Sequence, residues 1–277
     1  MRIPLPVVRG VMRWVVRPVL GPQVPITMQR RLGDALSKGT PHPKGVTLTD
    51  VVLGGRPARR YAPPGASTDG AVLWAHGGAF ITGSYATHGA FAAHLSVAVG
   101  SPVYLLDYRL APEHTHPAAT DDIVAALALI PEPKVVLGGD SAGGTLALLA
   151  ALRSPRALAG LALVSPVVDL TLASSEAWTG DDPLIRTAWG RQGIAAMFGA
   201  EPPDLVGADL SGLSPTVVHV AEHERLRPEG EALARLVGAE LVVVADAWHD
   251  IHLQAGIVRR GDEATTQLGA SMKALLT

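Results

Sequence analysis

The chain of 277 residues contains no cysteine, and this absence removes several kinds of chemistry at once. Disulfide bonds, thiolate nucleophiles and cysteine-ligated metal centres are all excluded. The histidines and acidic residues show none of the spacings that are typical of a metal site, and no glycine-rich loop ends in the Gly-Lys-Ser/Thr of a phosphate-binding loop. We therefore expect neither a metal nor a cofactor.

The first twenty residues lack an uninterrupted apolar run, because Arg9, Arg13 and Arg17 divide them. A secretory signal needs such a run followed by a small-residue cleavage site, and a transmembrane helix needs about 20 apolar residues. Neither pattern is present, so we expect a cytoplasmic protein. The three arginines recur at every fourth residue, which predicts one polar face of an amphipathic helix.

Charge of neither sign is in large excess, since the net charge is −2, and the total gives no argument for a nucleic-acid partner. The distribution is uneven, however. Residues 1–60 hold 11 basic and two acidic side chains, whereas the rest of the chain holds 12 basic and 23 acidic ones. This pattern favours a basic segment that docks on an acidic body; weak peripheral contact with an anionic membrane is the less favoured alternative.

Alternating strand-like and helix-like runs fill most of the chain after residue 70, and 48% of all residues are hydrophobic. Apolar strands that alternate with helices are typical of an α/β fold whose sheet is mostly parallel, doubly wound and covered by helices on both faces. We predict a single domain over residues 1–277. Residues 170–212 show no clean period and are predicted to form part of a small helical cap.

One turn stands out for its chemistry. An apolar run ends at Gly138, the pattern G-x-S-x-G follows over residues 139–143, and a second apolar run begins at once. A serine between two such elements sits at the apex of a sharp strand-to-helix turn, where the flanking glycines avoid collisions. The helix N-terminus also places backbone N–H groups beside it. Ser141 is therefore the candidate nucleophile.

A second glycine turn follows a short buried strand at residues 72–75. The sequence His76-Gly77-Gly78 can present backbone N–H groups to a developing oxyanion. Together with the N–H of Ala142, Gly77 and Gly78 are the predicted oxyanion donors.

These segments carry a resemblance to a known family. The matching stretches are HGGAF at 76–80, DYRLAPEH at 107–114, GDSAGG at 139–144 and LRPEG at 226–230. The chain resembles the hormone-sensitive-lipase-like carboxylesterases, also called bacterial family IV. The resemblance implies an α/β-hydrolase fold, a Ser-His-acid triad, and hydrolysis of uncharged esters with short to medium acyl chains. It also implies that residues 1–42 belong to the cap. Relatives often pair through the edge strand near the C-terminus, so a homodimer is one expectation, and the oligomeric state of this chain stays open.

The base and the acid should follow the serine in the order acid, then histidine. His249 comes just after a predicted strand and matches the family histidine, although the usual His-Gly-Phe reads His-Asp-Ile here. His252 is the alternative base. Glu224 stands where the family usually has aspartate, two residues before Leu-Arg, and is the predicted acid; Glu222 and Asp246 are its competitors.

Several other polar residues have structural interpretations. Asp107, Arg109 and Glu113 are predicted to form a buried network that braces the oxyanion loop, while Asp140 and His76 are predicted to brace the serine turn and the glycine turn. The competing hypothesis for the whole chain is a non-catalytic small-molecule receptor on the same fold. A histidine at position 249 argues against it, because a pocket that only binds needs no base.

Overall fold

A computed structural model describes residues 2–277 and contains an eight-stranded sheet. The strands are β1 (Thr47–Leu53), β2 (Arg56–Ala62), β3 (Gly70–Ala75), β4 (Val103–Leu106), β5 (Lys134–Asp140), β6 (Gly160–Val164), β7 (Thr216–His223) and β8 (Glu240–Trp248). Their order is β1-β2-β4-β3-β5-β6-β7-β8. Only the β1–β2 and β2–β4 pairs are antiparallel. The predicted mostly parallel α/β sheet is confirmed.

Helices cover both faces of this sheet, because its central strands carry apolar side chains on both sides. On one face, α3 (Tyr85–Val99) and α9 (Arg259–Leu276) pack against the side of β3 that presents Val72 and Trp74. On the other, α4 (Ala118–Leu127), α5 (Ala142–Arg153) and α8 (Arg227–Val237) pack against the side that presents Leu73. Burial on both faces explains why the strands read as continuous apolar runs.

Apart from a single 3-10 turn (Ile251–Gln254) after β8, the remaining helices belong to two segments outside this alternation. The N-terminal segment holds α1 (Leu5–Val11), a π-helical turn (Met12–Val16) and α2 (Ile26–Ser37). The second segment holds α6 (Ala173–Ala177) and α7 (Thr187–Phe198). They fall within the two ranges predicted to form the cap, 1–42 and 170–212; Met1 lies outside the described residues.

A buried glutamine joins the two segments. The side chain of Gln29 on α2 donates to the carbonyl oxygens of Gly21 and Val24, and its Oε1 accepts a hydrogen bond of 2.9 Å from the indole of Trp189 on α7. Gln29 is only 1% exposed, so breaking this arrangement would leave buried polar groups without partners.

The basic N-terminal segment is also tied to acidic residues of the body. Arg13 pairs with Asp181, Arg2 pairs with Asp262, and Arg30 makes a two-pronged pair of 2.7 and 2.9 Å with Glu113. Such ion pairs are expected if the basic N-terminal segment docks on the acidic remainder of the same molecule. No helix within residues 2–277 has the length and apolar character to cross a bilayer.

Candidate active site

Ser141 lies at the sharp turn between β5 and α5, with φ of 52° and ψ of −121°. A non-glycine residue at positive φ is strained, and such strain is concentrated at functional sites. The turn requires its glycines. A Cβ added to Gly143 would lie 2.0 Å from the carbonyl oxygen of Ala75, and one added to Gly139 would lie 2.4 Å from that of Gly143. The sequence pattern is therefore needed for the backbone to pass this closely.

His249 and Glu224 meet beside this turn. His249 directly follows β8, and Glu224 directly follows the neighbouring β7. The Nδ1 atom of His249 lies 2.8 Å from Oε2 of Glu224, whose other oxygen accepts a hydrogen bond of 2.7 Å from the N–H of Ala221. Both side chains are almost fully buried, at 2% and 0% exposure. Glutamate thus reaches the histidine from the position where the family usually has aspartate.

The other ring nitrogen of His249 has a partner that the sequence analysis did not predict. Its Nε2 atom lies 3.0 Å from Oδ2 of Asp250, the next residue. The hydroxyl of Ser141 has no hydrogen-bond partner among residues 2–277. Burial alone lowers the pKa of His249, but the carboxylates of Asp250 and Glu224 outweigh it and raise that pKa well above 6.5.

The alternative bases and acids are turned elsewhere. His252 is buried, and its Nε2 lies 3.2 Å from Nδ1 of His219. Glu222 accepts a hydrogen bond of 2.8 Å from the N–H of Asp246, and the side chain of Asp246 is 70% exposed. Glu222, His223 and Asp246 each place one potential metal-ligand atom within 4.8 Å of the others, although the sequence spacing predicted no metal site. These side chains are not deeply buried, and exposed acidic groups are common without an ion.

The glycine turn departs from the prediction at one position. The N–H of Gly77 donates a hydrogen bond of 2.9 Å to Oδ2 of Asp140, so it is already occupied and does not fit the predicted role of oxyanion donor. The N–H groups of Gly78 and Ala79 have no acceptor within the described part of the chain. Both residues have positive φ, of 118° and 50°, and a Cβ on Gly78 would lie 2.4 Å from the carbonyl oxygen of Thr82.

Asp140 braces the serine turn and the glycine turn together. In addition to Gly77, it accepts hydrogen bonds from the indole of Trp74 at 2.7 Å and lies 3.1 Å from Nε2 of His88. Burial opposes the ionisation of Asp140, but His88 and these donors outweigh burial and lower its pKa. The role predicted for Asp140 agrees with these contacts, whereas sequence reasoning gave His88 no role.

His76 braces the glycine turn, as predicted. Tyr108, to which the sequence analysis gave no role, supports it. The Nδ1 atom of His76 lies 2.9 Å from the carbonyl oxygen of Gly77, and its ring stacks on Tyr108 at 4.3 Å. Burial lowers the pKa of His76 to about 4, so the ring is neutral at pH 7. The hydroxyl of Tyr108 donates to the carbonyl oxygen of His76 at 2.6 Å.

The predicted network among Asp107, Arg109 and Glu113 is wrong. Arg109 binds Asp122 on α4, with a closest distance of 2.7 Å, and Glu113 binds Arg30 of the N-terminal segment. The partners in these two pairs are 13 and 83 residues apart in sequence. Asp107 belongs to neither pair, so the three residues do not form one network. Arg30 is the residue that reaches the oxyanion loop, through a hydrogen bond of 2.7 Å to the carbonyl oxygen of Ile81.

Two cavities meet at Ser141. The smaller one has a volume of about 30 Å³ and is mainly apolar; its lining includes Ala79, Phe80, Val167, Leu172, Ile194 and Leu226. The larger one has a volume of about 540 Å³ and combines apolar side chains of the N-terminal segment with a polar end. That polar end includes His88, Asp140, His249 and Asp250. The second segment therefore contributes walls to both cavities, whereas the N-terminal segment lines only the larger one.

Two buried carboxylates support the site from the side of the second cap segment. Glu229 accepts hydrogen bonds from the N–H groups of Val168 and Asp169, and burial raises its pKa to about 8. Asp182 accepts hydrogen bonds from Leu184 and Ile185 of its own segment and from the N–H of Arg225, next to Glu224. Sequence reasoning assigned no role to either carboxylate.

Comparison with known proteins places this geometry in a family. The family model described as the alpha/beta hydrolase fold matches residues 72–253. The putative acetyl-hydrolase LipR of Mycobacterium tuberculosis is 32% identical, over 94% of this chain and 93% of that protein. Carboxylesterase NlhH of the same organism is 34% identical, over 71% of this chain and 68% of that protein.

Solved structures agree with these relatives. A hormone-sensitive lipase from a metagenome library superposes with a TM-score of 0.91, at 29% identity and with complete coverage of both chains. An esterase from the bacterial hormone-sensitive lipase family gives a TM-score of 0.88, also at 29% identity and complete coverage. Fold and relatives together define a carboxylic ester hydrolase. The chain belongs to the alpha/beta hydrolase fold family and, within it, to the hormone-sensitive-lipase-like esterases, as its sequence motifs predict.

Proposed function

We propose that the protein is a serine carboxylesterase in which Ser141, His249 and Glu224 form the catalytic triad. The observation that carries the proposal is the buried 2.8 Å contact between His249 and Glu224, next to a serine held at positive φ. In the proposed reaction His249 takes the proton of Ser141, the serine attacks the ester carbonyl, and His249 then protonates the leaving alcohol. Water repeats the sequence on the acyl-enzyme.

The oxyanion formed by this attack is proposed to bind the N–H groups of Gly78, Ala79 and Ala142. On the turn after β3, the N–H groups of Gly78 and Ala79 have no acceptor among residues 2–277, and Ala142 is the first residue of α5. Since β3 and β5 are adjacent parallel strands, the turn and the helix N-terminus lie at the same edge of the sheet. Removing one such donor typically costs about 10²–10³ in rate.

The two cavities suggest how the ester is oriented. His249 lines the larger cavity and not the smaller one, and it must protonate the leaving oxygen. The alcohol therefore belongs in the larger cavity and the acyl group in the smaller, apolar one. A cavity of about 30 Å³ favours acyl chains at the short end of the predicted range.

Hydrolysis of p-nitrophenyl esters with increasing acyl length tests both the triad and this orientation. Ser141→Ala should abolish turnover, and Glu224→Gln should lower kcat strongly, because Gln cannot stabilise an imidazolium by charge. Glu222→Gln is the matched control and should retain parental activity. Leu172→Ala, which enlarges the small cavity, should move the preferred acyl length upwards.

Four results would contradict the proposal or the orientation of the ester. Parental turnover in Ser141→Ala would remove the nucleophile, and an active Glu224→Gln with an inactive Glu222→Gln would show that the acid is misplaced. Binding of esters without any turnover by the parent protein would favour the receptor hypothesis. A response of alcohol-length preference, rather than acyl-length preference, to Leu172→Ala would reverse the orientation.

A further inference from the structure

The base proposed above lies between two buried carboxylates instead of one. Glu224 is 2.8 Å from Nδ1 of His249, and Asp250 is 3.0 Å from Nε2. Nε2 is the nitrogen that has to face Ser141 during the proposed reaction. Asp250 is 7% exposed, and its Oδ1 atom has no hydrogen-bond partner within the described residues, so His249 is the group that holds this carboxylate.

Counting protons shows what this arrangement means for catalysis. A hydrogen bond on each ring nitrogen requires two protons among the three side chains. Either the imidazole is protonated between two carboxylates, or a neutral imidazole accepts a hydrogen bond at Nε2 from a protonated Asp250. Nε2 has no free lone pair in either state, so His249 cannot accept the proton of Ser141.

We propose that Asp250 is a positioning residue that holds His249 in a proton-bearing resting state, and that the enzyme becomes competent when this proton is lost to solvent. The inference rests on the proposed function, since it assumes that His249 is the base. The proton leaves through the larger cavity, which His249 and Asp250 both line. Nε2 is then free to turn from Asp250 to the hydroxyl of Ser141.

The charges around the pair favour retention of the proton. Apart from Glu224, the carboxylates of Asp140 at the end of β5 and Asp182 of the second cap segment act on the pair through space. His88 on α3 lies at the same end of the cavity, but it is engaged by Asp140 at 3.1 Å. Burial of Asp250 also raises its pKa, to about 6, which favours a proton on this pair.

The measurable consequence is the position of the acid limb in the pH profile of kcat/KM, which reports the free enzyme. An opposite charge at hydrogen-bond distance typically shifts a pKa by about 1–3 units. Asp250→Asn keeps the shape of the side chain and removes its charge, so the acid limb should move down by at least about one unit. At a pH below both limbs, kcat/KM of the variant should then exceed that of the parent about tenfold.

The position allows clean substitutions. Asp250 has φ of 54° and ψ of 39°, a left-handed conformation that Asn and Gly adopt most readily. Asp250→Gly therefore serves as a second variant if Asp250→Asn folds poorly. Asp246→Asn is the matched control, because Asp246 also has positive φ, at 51°, but is exposed and makes no contact with His249.

The experiment measures kcat/KM against pH for the parent, both Asp250 variants, Asp246→Asn and Ser141→Ala, together with a histidine-selective NMR titration of the parent. The expected result is a lowered limb in the Asp250 variants alone, and a resonance, missing in His249→Gln, that stays protonated above pH 6.5 in the parent. If the acid limbs of the Asp250 variants stay at the parental pH, or if the variants lose rate equally at every pH, the inference is overturned while the triad stays intact. Parental activity in Ser141→Ala would instead overturn the proposed function itself.

Discussion

Glu229 offers a test of how a buried carboxyl group that is held by backbone N–H donors affects the stability of the fold. Its carboxyl is 4% exposed and accepts hydrogen bonds from two backbone N–H groups, yet burial raises its pKa from 4.5 to about 8. A group whose folded-state pKa is raised contributes stability that is fully present below the unfolded pKa. That contribution is lost as the pH rises towards the folded pKa. The relevant window is therefore from about pH 4.5 to pH 8.

The loss follows from this interval. One pKa unit corresponds to about 1.36 kcal/mol, so ionisable Glu229 costs about 3 kcal/mol of unfolding free energy at pH 7 and about 5 kcal/mol at pH 9, relative to pH 4. Gln at this position keeps an oxygen that can accept both hydrogen bonds and carries no ionisable group. Glu229→Gln should therefore match the parent near pH 4 and exceed its stability by these amounts at higher pH.

Urea unfolding at several pH values measures the difference directly, with linear extrapolation to water. Glu201→Gln is the control, because Glu201 is exposed and surface substitutions usually change stability by no more than about 0.5 kcal/mol. A Glu229→Gln protein that is no more stable than the parent at pH 9 would refute the reasoning. That result would mean that the two N–H donors keep the carboxylate ionised at little cost.

Three other predictions follow from contacts described above. Gly143→Ala should lose at least about 2 kcal/mol of stability in thermal unfolding, because its Cβ would lie 2.0 Å from the carbonyl oxygen of Ala75. Gly10→Ala, in open space on α1, should not, and equal losses would contradict the steric argument. Gln29→Ala should raise KM more than it lowers kcat, since it separates the two cap segments; an unchanged KM would deny them a role in binding. If the chain dimerises through edge strand β8, Val243→Lys should give the monomer mass in light scattering, and a retained dimer would place the interface elsewhere.

The parts of the site that the sequence could predict are those built from local patterns. The serine turn is confined to a few residues whose small side chains are needed for the backbone to pass, so Ser141 and its glycines are readable from the chain alone. The order of acid and histidine along the chain similarly selected Glu224 and His249, which the structure brings to 2.8 Å. The apolar strands were readable because both faces of the sheet are buried.

The parts that could not be predicted depend on contacts between distant residues. Gly77 has the same local sequence signal as Gly78, and only the approach of Asp140, 63 residues later, shows that its N–H is occupied. Glu113 lies near Arg109 in sequence but binds Arg30, which is 83 residues away. Asp250 was visible as a departure from the family tripeptide, but its contact with Nε2 depends on a left-handed backbone that sequence alone does not specify.

The unequal sizes of the two chambers beside Ser141 affect the second half of the proposed reaction. Once the alcohol has departed, the acyl group would fill the narrow chamber and leave the wide one vacant next to His249. Water would then approach the acyl-enzyme by the route the alcohol used to leave, and any small alcohol in the medium could enter the same way. With ethanol or methanol added, the protein should therefore transfer part of its acyl groups to the new alcohol, and the ratio of ester to free acid would record how well each nucleophile occupies that space.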